Sequence, residues 1–258
     1  MISNLSNSGK WVLYPKPKPW ASRKLFCFPY AGGSSFMFRR WPEFLPEDVE
    51  VCPVELPGRG RRISEDPIDN LSELISSLAG SILPHLNKPF EFFGHSMGAL
   101  ISFELARYLK TKFDIEVSHL YVSAQSAPHL EREPKVTYNL PSEEFIEVLR
   151  SLNGMPDELL SNTEMMQIML PILRADFAIC ETYQFTSGSP LNCSITAIGG
   201  AEDDKVEIAE LYAWSELTTN KFSMIQIPGD HFFLLKSEQM LLSTMSGLLT
   251  KVSPFPGT

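Results

Sequence analysis

The chain has 258 residues, enough for one sizeable core, and its 43% apolar and 21% charged content matches soluble globular proteins rather than disordered, coiled-coil or fibrous ones. Its formal charge of −9 repels nucleic acid and anionic membrane surfaces, and no stretch reaches the roughly 18 consecutive apolar residues of a membrane span. Residues 1–22 carry Asn, Ser, Lys and Pro where a secretory leader has an apolar core. Cys27, Cys52, Cys180 and Cys193 lack CxxC or Cys/His ligand spacing, so free thiols, a cytoplasmic location and no metal are expected.

In chain order, the Pro-rich Tyr14-Pro-Lys-Pro-Lys-Pro-Trp20 reads as an extended lead-in. Residues 24–29 form a short apolar run that enters the tight loop Tyr30-Ala-Gly-Gly-Ser34, the pattern of a buried strand. A second strand is predicted over 49–55, closed by Leu56-Pro-Gly-Arg-Gly60. Apolar residues at 71, 74, 75, 78, 82 and 83 predict a helix over 71–86 that starts near Asn70 or Ser72. The aromatic strand 90–94 leads into His95-Ser-Met-Gly-Ala99 and a helix over 100–109. Strands follow at 119–124, 194–199 and 222–228, with helices near 206–218 and over 239–251.

Strands that alternate with helices imply a mainly parallel central sheet with helices on both faces. From about 128 to 184 the rhythm breaks. Helical patterns at 142–152 and 165–183 appear without a strand, so a helical lid over the carboxyl end of the sheet is expected within a single domain spanning 1–258.

Gly94-His-Ser-Met-Gly98 is a G-x-S-x-G sequence between a predicted strand and a predicted helix, the context of a nucleophile elbow. Ser96 is the candidate nucleophile; the flanking glycines permit a strained turn, and the following helix directs its N-terminus toward developing negative charge. A hydroxyl needs a positioned base. Among His85, His95, His119, His129 and His231, the last lies in Gly229-Asp-His-Phe-Phe233 after the final strand, where this arrangement carries its histidine. His95 is expected to point away from the nucleophile. The acid must fall between Ser96 and His231 in the chain, and Glu202, Asp203 and Asp204 stand on the loop after the penultimate strand. Asp203 is preferred and Asp204 is the alternative; Asp230 adjoins the histidine and is poorly placed to bond its ring. The fold class is therefore α/β, of the α/β-hydrolase type.

Five ordered motifs resemble the type II thioesterases, the free-standing editing enzymes of nonribosomal peptide and polyketide synthases. They are Phe28-Pro-Tyr-Ala-Gly-Gly-Ser34, Glu55-Leu-Pro-Gly-Arg-Gly-Arg61, Phe93-Gly-His-Ser-Met-Gly-Ala99, Leu173-Arg-Ala-Asp-Phe177 with Glu181-Thr-Tyr183, and Gly229-Asp-His-Phe-Phe233. In that family an Asp precedes a Val by three residues and a Trp by eleven; Asp203, Val206 and Trp214 meet the spacing. The resemblance implies an oxyanion hole made by the backbone N–H groups of Ala31 and Met97. It also implies no cofactor, and a substrate held as a thioester on the phosphopantetheine arm of an acyl or peptidyl carrier protein. Arg59, Arg61 and Arg62 form the one dense basic patch, expected to meet that partner. Apolar lid residues including Phe145, Leu149, Met155, Met165, Met166, Ile168, Met169 and Phe177 would suit an acyl chain. A small-molecule carboxylesterase on the same triad, or a catalytically silent binding protein on this scaffold, are the competing readings.

Overall fold

The computed structural model describes residues 11–131 and 136–251. Residues 1–10, which fall in the stretch 1–22 read as lacking a leader's apolar core, and residues 132–135 of the expected lid lie outside these. Six strands form one sheet: β1 (Arg23–Phe28), β2 (Val49–Pro53), β3 (Phe90–His95), β4 (His119–Ser123), β5 (Ser194–Gly200) and β6 (Phe222–Ile227), in the order β2-β1-β3-β4-β5-β6. Every pairing is parallel. All strands therefore present their carboxyl ends on one side, and the order reverses between β1 and β3, where open α/β sheets place their ligands.

The alternation of side chains along each strand divides the core in two. Phe26, Phe28, Phe92, Leu120, Val122, Ile195 and Ala197 face one side, buried with Leu74, Ile75 and Leu78 of α1 (Leu71–Ile82) and Leu100, Ile101 and Leu105 of α2 (Met97–Phe113). Leu25, Cys27, Phe93, Tyr121 and Ile198 face the other, covered by Leu241, Leu242, Met245 and Leu249 of the last helix. The strands are apolar on both faces because both faces are covered.

Local chemistry sets the helix ends. Asn70 caps α1, its side chain accepting the Glu73 N–H at 3.1 Å. The α-helix stops at Ile82, short of the predicted 86, because Pro84 has no N–H to continue the ladder, and a 3₁₀ turn takes over at 83–85. Asp114 ends α2 in the left-handed conformation at φ 55°.

Between β4 and β5 lie α3 (Ser142–Ser151), α4 (Asp157–Leu160) and α5 (Thr163–Glu181), with no strand among the described residues. This insertion has its own core of Phe145, Leu149, Leu160, Met166 and Leu173. Phe145, Leu149 and Met166 are thus buried within the insertion, whereas Met165 and Ile168 are exposed. The chain then continues through β5, α6 (Ile208–Tyr212) and β6 to α7 (Phe233–Lys236) and α8 (Glu238–Lys251). Among the described residues no helix is long and apolar enough to cross a membrane.

Phe92 is fully buried in the central strand and packs edge-on against both Phe26 and Phe28. Phe92→Ala should lower unfolding free energy by about 3–5 kcal/mol, read as a shifted urea midpoint; a loss below about 1 kcal/mol would mean the aromatic ladder does not organise this face.

Candidate active site

β3 ends at His95, α2 begins at Met97, and the chain reverses through Ser96 alone, at φ 53° and ψ −120°. A residue with a Cβ pays a steric cost there and stays only when its surroundings fix it. Here the Ser96 N–H donates to the Ser123 carbonyl at 2.7 Å, and the Ser96 carbonyl accepts the Ala99 N–H at 2.8 Å. The two flanking glycines are required by crowding of backbone on backbone. A Cβ on Gly94 would lie 2.1 Å from the Gly98 carbonyl oxygen, and one on Gly98 would lie 2.2 Å from the carbonyl oxygen of Phe28.

The loops after β5 and β6 meet beside this turn. A Cβ on Gly200 would fall 2.4 Å from the Gly229 carbonyl oxygen, so glycine permits their contact, and the Glu202 N–H donates to that same carbonyl at 3.0 Å. His231 Nε2 lies 3.1 Å from Ser96 Oγ, and His231 Nδ1 lies 3.0 Å from Asp203 Oδ2. A carboxylate only accepts, so Nδ1 carries the proton, and the Nε2 lone pair faces the serine hydroxyl. The Asp203 side chain is 1% exposed. Burial raises its pKa, but the His231 hydrogen bond and charge, with the N–H groups of Lys205 and Val206, outweigh this and hold it below the ordinary carboxylate value. Asp204 points outward, 75% exposed and paired with Lys205 at 3.0 Å. Glu202 is exposed as well. Asp230 binds Lys236 and its own loop, accepting the Phe232 N–H at 3.0 Å, and does not bond the imidazole.

His95 points to the other side of the turn, where it takes up a task that chain order does not reveal. It is fully buried, with Nδ1 2.9 Å from Ser123 Oγ and Nε2 2.9 Å from the backbone oxygen of His231. That oxygen cannot donate, so Nε2 carries the proton and Nδ1 accepts from Ser123. Burial first, and the adjacent His231 second, lower the His95 pKa to about 3, so it stays a neutral strut under the histidine loop.

The loop after β1 carries Ala31, and α2 opens with Met97. Met97 is the first residue of that helix, and the first N–H of a helix has no intrahelical acceptor. The arginine patch does not survive as a docking surface. Arg59 is 5% exposed and forms a two-pronged ion pair with Asp176 of α5, at 2.7 Å on each arm. Arg62 is 2% exposed, bound to Glu65 at 2.5 Å and to the Glu55 carbonyl, with its guanidinium over the Trp11 ring at 3.9 Å. Arg61 alone is exposed. Asp176 is the residue that pattern reading misses as a participant, although a signal exists: it is the one acid on the buried helical stripe of Ile172, Ala175 and Ile179. Among the described residues no three His, Cys, Asp or Glu side chains gather so as to hold a metal ion.

A parallel sheet of this order, with a serine at a strained turn after β3 and an acid and a histidine after β5 and β6, defines an α/β-hydrolase. The chain belongs to the thioesterase family: the thioesterase domain profile matches residues 23–249. Relatives include linear gramicidin dehydrogenase LgrE of Brevibacillus parabrevis, 46% identical over 93% of this chain and 92% of that one. The gramicidin S biosynthesis protein GrsT of Aneurinibacillus migulanus is 45% identical over 93% of this chain and 94% of its own. Among solved structures, the type II thioesterase BorB from the borrelidin biosynthetic cluster superposes with a TM-score of 0.85 at 33% identity, covering 93% of this chain and 98% of that one. The first relative has a dehydrogenase name; the residues gathered here at the strand ends are those of a hydrolase.

The neutral strut at His95 predicts a pH dependence. Its folded value near 3 lies below the unfolded value of about 6.5, so its stability contribution is complete above pH 6.5 and is lost as pH falls, when the unfolded chain binds the proton first. His119, lowered to about 4 by burial, acts in the same direction. His95→Gln should therefore flatten the acid limb, removing about 2 kcal/mol of the stability lost between pH 7 and pH 5. Urea midpoints at the two pH values check this, and identical slopes for wild type and variant would refute it.

Proposed function

We propose that this protein hydrolyses acyl thioesters presented on the phosphopantetheine arm of carrier proteins, releasing stalled acyl groups from nonribosomal peptide or polyketide assembly lines. The observation that carries this reading is the imidazole of His231 bridging Ser96 Oγ and Asp203 Oδ2 at 3.1 and 3.0 Å. The biosynthetic settings named for the gramicidin S and borrelidin proteins support the substrate class.

In the first half-reaction Ser96 Oγ attacks the thioester carbonyl while His231 Nε2 takes its proton, and the charge of Asp203 stabilises the imidazolium. The oxyanion forms against the N–H groups of Ala31 and Met97, with the N-terminus of the 17-residue helix α2 behind it. As the tetrahedral intermediate collapses, the C–S bond breaks and the imidazolium returns its proton to the sulfur. A thiol leaves readily, since its pKa of about 8.5 lies far below that of an alcohol. In the second half-reaction His231 deprotonates a water that attacks the acyl-serine ester, the same hole holds the new oxyanion, and Ser96 is regenerated with the free acid.

In this reading α3 to α5 serve as the lid. Met155, Met169 and Phe177, half-buried around its core, and the exposed Met165 and Ile168 provide apolar surface for an acyl chain. Methionine repacks at low cost, which suits an editing enzyme that accepts varied acyl groups. Of the basic cluster only Arg61 is free to meet an acidic carrier.

Ser96→Ala should leave folding intact and cut hydrolysis of an acyl-carrier thioester by about 10⁴-fold or more, and Asp203→Asn by about 10⁴-fold, while Asp204→Asn stays near wild type. Wild-type turnover by Ser96→Ala would remove the serine mechanism, and faster turnover of a matched small oxyester would favour a carboxylesterase. Arg61→Glu should raise KM on the carrier-bound substrate severalfold and leave a small free thioester unaffected. Equal effects on both substrates would exclude Arg61 from docking.

A further inference from the structure

The Glu55-Leu-Pro-Gly-Arg-Gly60 signature has no part in the triad, yet it supplies two buried charges, Glu55 and Arg59, and meets a third, Asp176 of the insertion. Their hydrogen bonds converge on the loop that carries Ala31. Asp176 Oδ2 accepts the Gly32 N–H at 2.7 Å, Arg59 Nη1 donates to the Gly33 carbonyl at 3.1 Å, and Glu55 accepts the N–H and hydroxyl of Ser35 at 3.2 and 2.7 Å. The loop is gripped at three nearly successive residues.

The geometry of that loop explains what the grip achieves. The Gly33 N–H donates to the Tyr30 carbonyl at 2.8 Å, closing a four-residue turn, and Gly32 at its third position has φ 78°, as a type II turn requires. Tyr30 C=O and Ala31 N–H belong to one trans peptide plane, so with the carbonyl turned into the loop the N–H points the opposite way, outward from the turn. Types I and II differ by a flip of the middle peptide, the one that contains the Gly32 N–H. The Asp176 carboxylate holds that N–H; the Ala31 N–H lies in the preceding peptide, oriented alike in both turn types, so what the carboxylate fixes for it is the position of the turn against α5. Asp176 also bridges to Arg59, so its charge is balanced where it is completely buried. Leu173, one turn earlier on α5, packs so closely that its Cδ2 is 2.7 Å from where a Cβ on Gly32 would lie.

We propose that Asp176 is a positioning residue. Paired with Arg59, it anchors the 30–33 turn to α5, so that the outward-facing Ala31 N–H is held in place at the reacting carbonyl oxygen, and it makes that half of the oxyanion hole depend on the seating of α5. This rests on the thioesterase reading above. An entering acyl chain that unseats α5 loosens the hole, and reseating restores it, so chemistry is linked to closure of the insertion over the substrate.

The test is the double variant Asp176→Leu/Arg59→Met, which removes both buried charges together and leaves neither unpaired. It is assayed beside wild type and Ser96→Ala on an acyl-N-acetylcysteamine thioester, and with an alkyl boronic acid, whose adduct on a serine places an oxygen in the oxyanion hole. The expected result is a folded double variant with kcat down about 10²-fold, KM within about threefold of wild type, and boronate affinity weakened in parallel with kcat. A merely structural role would not move boronate affinity in step with kcat. Wild-type kcat, a fall in kcat with boronate affinity unchanged, or failure of the double variant to fold would each overturn the inference, the last because the pair would then support the fold and not the loop. Full activity of Ser96→Ala would instead sink the thioesterase mechanism, whereas a dead Ser96→Ala beside a fully active double variant would sink only the role of Asp176.

Discussion

The backbone at Gly98 comes so near the carbonyl of Phe28 that a single methyl group would stand 2.2 Å from its oxygen. This contact ties the first turn of α2 to the end of β1 at the point where the strand order reverses. The rest of the site follows from it. With α2 seated there, Ser96 is forced into a conformation it would not otherwise hold, and its side chain projects beyond the carboxyl ends of the strands. The same contact brings the β1 loop, with Ala31, beside the helix N-terminus that begins at Met97. The positions of Ser96, Ala31 and Met97, the proposed nucleophile and oxyanion donors, are thus set by one backbone-on-backbone approach.

The remaining groups are fixed by charge and its control. His231 stands between a carboxylate held ionised by several N–H groups and a serine hydroxyl, with its own carbonyl carried by a second histidine that burial keeps neutral. In the proposed mechanism a charged His95 would repel the imidazolium formed at His231; a neutral one supports it without that cost. On the far side of the nucleophile, Asp176 and Arg59 place a balanced pair of charges against the β1 loop. The buried carboxylate of Asp203 and the Asp176–Arg59 pair are thus each paired or hydrogen-bonded, as a preorganised polar environment requires.

The fold was largely legible in the sequence. All six strands were marked by short apolar runs, five of them ended by Gly or Pro, and the alternation with helices fixed a parallel sheet. The short helices at 157–160 and 233–236 were not legible, because one turn of helix leaves too little periodicity to read. At the site, Ser96 and His231 stood out because each sits in a glycine-marked loop after a strand. Asp203 and Asp204 could not be separated by chemistry alone, since the direction of each side chain is decided by the loop 200–206, which turns Asp203 inward and leaves Asp204 to Lys205. The arginines misled for a tertiary reason: a basic cluster in sequence reads as surface, but Asp176 lies 117 residues away from Arg59 in the chain and buries it.

In the proposed reaction Ser96 carries the acyl group between the two half-reactions. The most direct measurement is to mix the enzyme briefly with excess acyl thioester, quench in acid, and locate the added mass by peptide mapping in a mass spectrometer. One acyl group per chain is expected, on the peptide that contains Ser96 and at that hydroxyl. An acyl group stably bound elsewhere, or rapid turnover with no acyl-serine trapped even when water attack is slowed by low pH, would contradict it.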